Sequence, residues 1–240
     1  SAISSLAQGL KCGDTDLFVR CWFECSDRDI LGIIGDPSQA KWHFMLDGGD
    51  YRKWSGNQID VVNWQDDGYE IKTNRDNNGK VRARVQNEKF YHKSGALTWS
   101  ALTSGPISVR SCSDNSLCGG AGYYIVPTKQ EDKLFIFGLL NSSTAQYIKL
   151  ALSPTLNNEV GDLKRIPVHG MDSSNEEVLE LVQKSLQASE FDWDSFETSW
   201  DFKKSGKTES IKASTVRSWR EAVENMLRIV DEQIEGWDAS

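Results

Sequence analysis

Prolines are few and never adjacent, five in 240 residues, and the longest apolar stretch, Leu134 to Leu140, falls far short of the ~18 residues a membrane helix needs. No membrane partner is therefore expected. Histidines number three (His43, His92, His169) and are scattered, and the five cysteines (Cys12, Cys21, Cys25, Cys112, Cys118) form an odd set without a Cys-x-x-Cys pair. That spacing argues against a structural zinc site and a disulfide framework, and predicts buried thiols in a reducing cytoplasm. Cys21 and Cys25 are expected on one face of a strand, because strand side chains repeat every two residues. Also missing are a nucleophile with a base at motif spacing, a paired acid and base, and a phosphate loop. Gly119-Gly120-Ala121-Gly122 has the glycines of such a loop but not the Lys-Ser/Thr that follows them, so a turn is expected. The opening Ser1-Ala2-Ile3 has neither an initiator Met nor the basic and apolar regions of a signal peptide, and is expected to be a cut within something longer.

What is present suits a protein with its own core. Hydrophobic residues make up 38% and charged residues 26%, and the length fits one large domain or a domain with an appendage. The net charge of −8 is unevenly spread. Residues 1–110 hold 14 Lys and Arg against 14 Asp and Glu, whereas residues 171–240 hold 8 against 16. Between 71 and 93 seven basic residues, Lys72, Arg75, Lys80, Arg82, Arg84, Lys89 and Lys93, face only Asp76 and Glu88. Distribution matters more than the sum where a polyanion is the partner.

From about 17 to 110 short β-branched and aromatic runs alternate with Gly, Asn and Asp clusters, the signature of strands and turns. Asn74 to Gly79 suits a tight hairpin. After it Val81, Ala83 and Val85 alternate with Arg82, Arg84 and Gln86, which predicts a half-buried strand with two guanidinium groups on its outer side. Residues 133–152 read as one helix, and 159–168 as a short turn and a final strand ending near Pro167. Ser174-Asn175-Glu176-Glu177 has capping-box spacing and opens a further helix. Val216, Trp219, Val223, Met226 and Val230 predict another over about 215–236, with a narrow heptad-like seam.

Chemistry concentrates in Gly48-Gly49-Asp50-Tyr51-Arg52-Lys53-Trp54-Ser55-Gly56-Asn57, followed by Val61-Val62-Asn63-Trp64. Glycines, a basic pair, aromatics and amides lie close together there. Arg and Lys suit phosphates, Asn and Gln suit adenine edges, and Arg suits guanine. Nine tryptophans keep a sugar-stacking domain open as an alternative. The acidic, seam-bearing tail keeps a protein-interaction module open as another.

These stretches, with Val19 to Glu24, Thr98-Trp99-Ser100, Leu139-Leu140-Asn141-Ser142, Asn157 to Val168 and Asp194 to Phe202, resemble in order the region after the catalytic core in PglX-type adenine-specific DNA methyltransferases of BREX phage defence. The segment into Ile166-Pro167-Val168 is also similar to the end of target recognition domains in type I restriction specificity subunits. The resemblance implies an α+β target recognition domain over 14–170 and a helical spacer or docking region over 171–240. It implies double-stranded DNA as partner, with other defence-system proteins as further candidates. It also implies an N-terminal methyltransferase domain, absent here, that binds S-adenosylmethionine. Relatives hold the flipped adenine with an Asn/Asp-Pro-Pro-Tyr/Phe motif, and this sequence has no Pro-Pro. No catalytic residue, metal or cofactor is therefore expected in this fragment. The expected phosphate or guanine contacts are Arg52, Lys53, Arg82 and Arg84, and the expected base-edge readers are Asn57, Asn63, Gln86 and Asn87. Trp54, Trp64 and Trp99 are expected to be core residues that hold the loops.

Overall fold

Short alternating runs build two four-stranded sheets. The computed structural model describes residues 3–26, 29–30, 40–103, 105–114, 116–168 and 174–202. Its strands are β1 (Ser4–Gln8), β2 (Val19–Cys21), β3 (Trp42–Leu46), β4 (Asp60–Asn63), β5 (Leu97–Ser100), β6 (Val109–Ser111), β7 (Ser116–Cys118) and β8 (Gly122–Pro127). Its helices are α1 (Thr15–Phe18), α2 (Gln65–Thr73), α3 (Lys133–Asn141), α4 (Ser143–Leu152), α5 (Val160–Leu163) and α6 (Glu176–Trp193). This is the α+β class that the sequence predicts.

The first sheet runs β1-β8-β5-β6 and is antiparallel throughout. Leu97 lies opposite Ile125, and Trp99 opposite both Tyr123 and Val109. Because side chains alternate across a sheet, these residues share one face, where they meet Phe135, Phe137 and Leu140 of α3 and Val182 and Leu186 of α6. The described part of the acidic region thus shares a core with the sheet. On the opposite face Tyr124, Ala7 and Val126 join Leu46, Cys112 and Cys118 in a second cluster. The second sheet runs β2-β4-β3-β7, with β3 and β7 parallel. The Tyr124 hydroxyl accepts a bond from the Cys118 amide at 2.6 Å, which ties one sheet to the other.

Residues 119–122 are the joint at which the chain passes from the second sheet into the first. A Cβ on Gly122 would fall 2.0 Å from the Leu46 carbonyl oxygen, so only glycine permits this backbone approach.

Several elements differ from expectation for local reasons. The helix predicted over 133–152 is two helices, because Ser142 is extended (φ −71°, ψ 158°) and its Oγ accepts from the Ala145 amide at 3.1 Å as the N-cap of α4. The final strand predicted before Pro167 is instead α5, opened by the Asp162 carboxylate accepting from the Glu159 amide at 3.4 Å. Leu163 and Ile166 then enter the core. Asn175, one residue past the expected Ser174, caps α6 by accepting from the Val178 amide at 3.2 Å. A 3-10 turn over Trp22–Glu24 ends β2, so Cys21 and Cys25 do not share a strand face. Residues 81–86 form no ladder, only single bridges between Arg75 and Val81 and between Lys11 and Arg84. The helix expected over about 215–236 lies outside the described residues.

Candidate nucleic-acid interface

The eight polar residues singled out in the sequence fall into separate places. Arg52, Lys53 and Asn57 lie in the connection between β3 and β4, which runs beside β6. The Trp54 amide donates to the Val109 carbonyl at 2.8 Å, and the Ser111 amide to the Trp54 carbonyl at 2.8 Å. Gln86 and Asn87 are held at the end of β1, the opposite edge of the same sheet. The full width of the four-stranded sheet therefore lies between the two groups.

At the β6 edge the cations are committed to the fold. Arg52 Nη2 bonds Asp192 Oδ2 at 2.5 Å, and the guanidinium packs 5.1 Å from the Trp193 ring centroid and 5.7 Å from that of Phe196. Gly56, at φ +117°, leaves room for this stack, since a Cβ there would come within 2.6 Å of Arg52 Nε and 3.0 Å of Trp193. Lys53 Nζ donates to the Asn141 carbonyl at 2.7 Å, at the C-terminal end of α3 where a cation opposes the helix dipole. Burial lowers the Lys53 ammonium from its ordinary value. Ser189 Oγ of α6 donates to the Lys53 carbonyl at 3.0 Å and accepts from the Ser55 amide at 3.2 Å. The segment that reads in sequence as a basic loop therefore clamps α3 and α6 to the sheet.

The side-chain amides of Asn57 and, in the second sheet, Asn63 are similarly occupied. Asn57 Nδ2 donates to the carbonyls of Gly48 (3.2 Å) and Asp50 (2.7 Å), closing its own loop. Asn63, at the end of β4, donates to Glu70 Oε2 at 2.9 Å and accepts from the Gln65 amide at 3.2 Å. Sequence reasoning missed Arg110, which is 1% exposed. Its guanidinium donates to the carbonyls of Gly48 (2.9 Å) and Arg52 (3.4 Å) and to Ser100 Oγ (3.2 Å), fixing the loop from below. Burial lowers its pKa. Its place in a three-residue strand between two loops carried no signal of that role. Trp64 and Trp99 are buried as expected, with Trp99 Nε1 bonded to the Asn158 carbonyl at 2.9 Å, and half-buried Trp54 packs edge-on to Phe137.

The second group differs. Arg82 and Arg84 are both exposed, while Ala83 and Val85 between and beside them pack on the second sheet's core. The alternation predicted from sequence thus orients the side chains even without a ladder. Backbone bonds of 2.7 and 3.2 Å between Arg84 and Lys11 bring exposed Lys11 alongside, a neighbour that a separation of 73 positions hid from sequence reading. Upstream, exposed Arg75 and Lys80 flank the turn of a hairpin closed by the Arg82 amide on the Asn74 carbonyl at 3.0 Å. Acidic neighbours are sparse. Asp14 Oδ2 is 3.8 Å from Arg82 Nη1, while Asp76 spends its carboxylate accepting from the amides of Asn78 and Lys80, both at 2.9 Å. Gln86 Nε2 bonds Gln8 Oε1 at 3.2 Å and Asn87 Nδ2 bonds the Gln8 carbonyl at 3.0 Å, so both amides anchor this segment to β1.

The glycine-rich turn does not fit a methyl-donor cofactor. Asp47 Oδ1 already accepts from the Ala121 amide at 2.6 Å, and a Cβ on Gly119 would lie 2.3 Å from that oxygen, so protein atoms fill the space a cradle would need. Among the described residues no three His, Cys, Asp or Glu side chains gather as a metal site, and no helix is long and apolar enough to cross a membrane.

No protein-family model matches the chain. It is 33% identical over 204 residues to the adenine-specific methyltransferase PglX of Lacticaseibacillus casei (strain Zhang), covering 83% of this chain and 17% of the relative. It is 32% identical over 197 residues to the adenine-specific methyltransferase BrxX of Escherichia coli O9:H4 (strain HS), covering 80% and 15%. The chain thus spans about a sixth of the length of these relatives. In fold it matches the Type IIL restriction-modification enzyme MmeI, solved in complex with DNA, with a TM-score of 0.53 and 15% identity over 97% of this chain and 33% of that one. In sequence the chain is similar to a segment of the PglX and BrxX adenine-specific methyltransferases, and its α+β architecture is one that MmeI shares.

Proposed function

We propose that this chain is the non-catalytic, DNA-reading segment of an S-adenosylmethionine-dependent adenine DNA methyltransferase in a phage-defence or restriction-modification system. The observation that carries the reading is the exposed basic ribbon of Lys11, Arg75, Lys80, Arg82 and Arg84 on a chain whose net charge is −8. Cations left in water and sparsely paired suit a phosphate backbone, because neutralising phosphates releases condensed counterions. Arg52 and Lys53 leave the expected footprint, since their charges are already held inside the fold. Similarity to PglX and BrxX, and the fold shared with a restriction enzyme solved on DNA, support the same class. Transfer of the methyl group is assigned to a part of the parent protein outside this chain.

Duplex binding measured against salt tests the reading. The double variant Arg82→Ala/Arg84→Ala is expected to flatten the dependence of log K on log salt by about 1.8, at roughly 0.9 per phosphate contact. An unchanged slope removes the ribbon from the footprint.

A protein-docking role has one observation of its own. On α4, Tyr147 is 77% exposed and Leu150 61% exposed, which places two large apolar side chains on one helix face in water. Capture of a defence-complex component that is lost on Tyr147→Ser/Leu150→Ser, together with no duplex affinity, would favour that reading.

A further inference from the structure

We infer that the tip of the Asn74–Arg82 hairpin is the base-reading element, with Asn77 and Asn78 the side chains that meet adenine edges in the major groove of duplex DNA. The inference rests on the DNA-reading function proposed above and assigns its specificity to residues outside the set expected from sequence.

An amide that reads adenine must offer its N–H to N7 and its C=O to the N6 amino group at once. The expected readers are spoken for. Asn57, Asn63, Gln86 and Asn87 each give their side-chain N–H to a partner within the protein, on Gly48 and Asp50, Glu70, Gln8 and Gly9, and Gln8 respectively. Breaking such a bond to contact a base would forfeit much of the gain.

Asn77 and Asn78 are exposed, and no described residue bonds to either side chain. Asparagine in a turn ordinarily serves a left-handed backbone or caps the turn through its own side chain. Neither purpose applies here. Asn77 and Asn78 both lack a positive φ, and Gly79 supplies the left-handed position at φ +78°. Asp76 does the capping: its carboxylate accepts from the amides of Asn78 and Lys80, while the Gly79 amide donates to its carbonyl at 2.9 Å. The turn is thus built by main chain and Asp76, and the two amides are left over.

Shape and charge agree with a groove. A Cβ built on Gly79 meets nothing within 4 Å, so the tip stands clear of the body. The two arms of the hairpin, bridged once between Arg75 and Val81 and joined by the Asp76 amide on the Lys80 carbonyl at 2.8 Å, run antiparallel, and a narrow two-armed element of this kind fits the ~12 Å major groove. Arg75 Nη1 bonds the Gly79 carbonyl at 2.8 Å, which holds that guanidinium across the turn, and Lys80 and Arg82 follow on the other strand. These cations flank the amides as phosphate contacts on either side of a groove would require.

Selection of duplexes from a random pool by the full 240-residue chain, followed by equilibrium binding to the selected sequence and its single-base changes, tests the assignment. The wild-type chain is expected to select a site containing A·T pairs. Asn77→Ala/Asn78→Ala is expected to lose on the order of tenfold discrimination at one or two of those pairs. Its affinity for unrelated DNA, salt slope and unfolding midpoint should stay at wild-type values, because neither side chain touches a phosphate or the core. A double variant that selects the same site with undiminished discrimination overturns the inference and leaves DNA reading intact. A wild-type chain without duplex affinity overturns both.

Discussion

Arg52 and Lys53 on one side and Arg82 and Arg84 on the other are pairs of cations with similar neighbours in sequence, each among glycine, amides and aromatics. In the fold the first pair closes an internal joint and the second stands in solvent. Arg52 is ion-paired and stacked on two rings, and Lys53 is drawn onto a helix end. Among the described residues Arg84 meets the Lys11 backbone through its own main chain, and the Arg82 guanidinium has a long bond to the Arg75 carbonyl at 3.4 Å and a carboxylate, Asp14, at 3.8 Å. A guanidinium is informative about a polyanionic partner only after its internal partners are counted, since a committed charge must be freed before it can be used.

The comparison extends to how buried and exposed groups respond to pH, where the largest effect is expected. His43 is 1% exposed, with Nδ1 2.8 Å from His92 Nε2. Burial and the His92 imidazole push its pKa from the ordinary 6.5 down to about 4, and burial also lowers His92. The folded state therefore resists a proton that the unfolded chain accepts. Stability is intact above about 6.5 and is lost as pH falls toward about 4, by up to ~3 kcal/mol. Urea unfolding at pH 7, 5.5 and 4 checks this, and His43→Gln should shrink the loss.

Next in size is Arg52→Ala, expected to cost about 2 kcal/mol through the lost ion pair and ring stacking. Its salt slope for DNA should match wild type. A flattened slope without loss of stability would erase the contrast between the two pairs. Lys53→Met, which keeps the apolar stem but leaves the end of α3 without its cation, is expected to cost about 1 kcal/mol in the same unfolding assay. The smallest effect sharpens the other side: Arg82→Lys/Arg84→Lys should retain the full salt slope, with affinity within a fewfold, because phosphate neutralisation needs charge rather than a planar fork. A large loss would instead mark guanine contacts.

Much of the fold was legible because strand alternation is a local signal. Ala83 and Val85 alternate with Arg82, Arg84 and Gln86, and that spacing alone gives the orientation of the segment even though no ladder forms there. Breaks were harder to see. Ser142 interrupts an apolar helical pattern, and its capping competes with helix continuation at a strength that composition does not rank. The candidate site was half legible. A local excess of charge over 71–93 pointed to Arg82 and Arg84, but the fate of Arg52 depended on Asp192, Trp193 and Phe196, some 140 positions away.

From its residues alone this chain was bound to be an α+β protein with a concentrated basic stretch, since periodicity and local charge are properties of neighbours along the chain. Which cations remained available, and which amides were left without work, was decided only when α6 closed over the β3–β4 connection and residues 84–87 paired with the end of β1 and the segment after it. Hydrogen bonds and ion pairs between distant segments set those outcomes, and no window of sequence contains both partners.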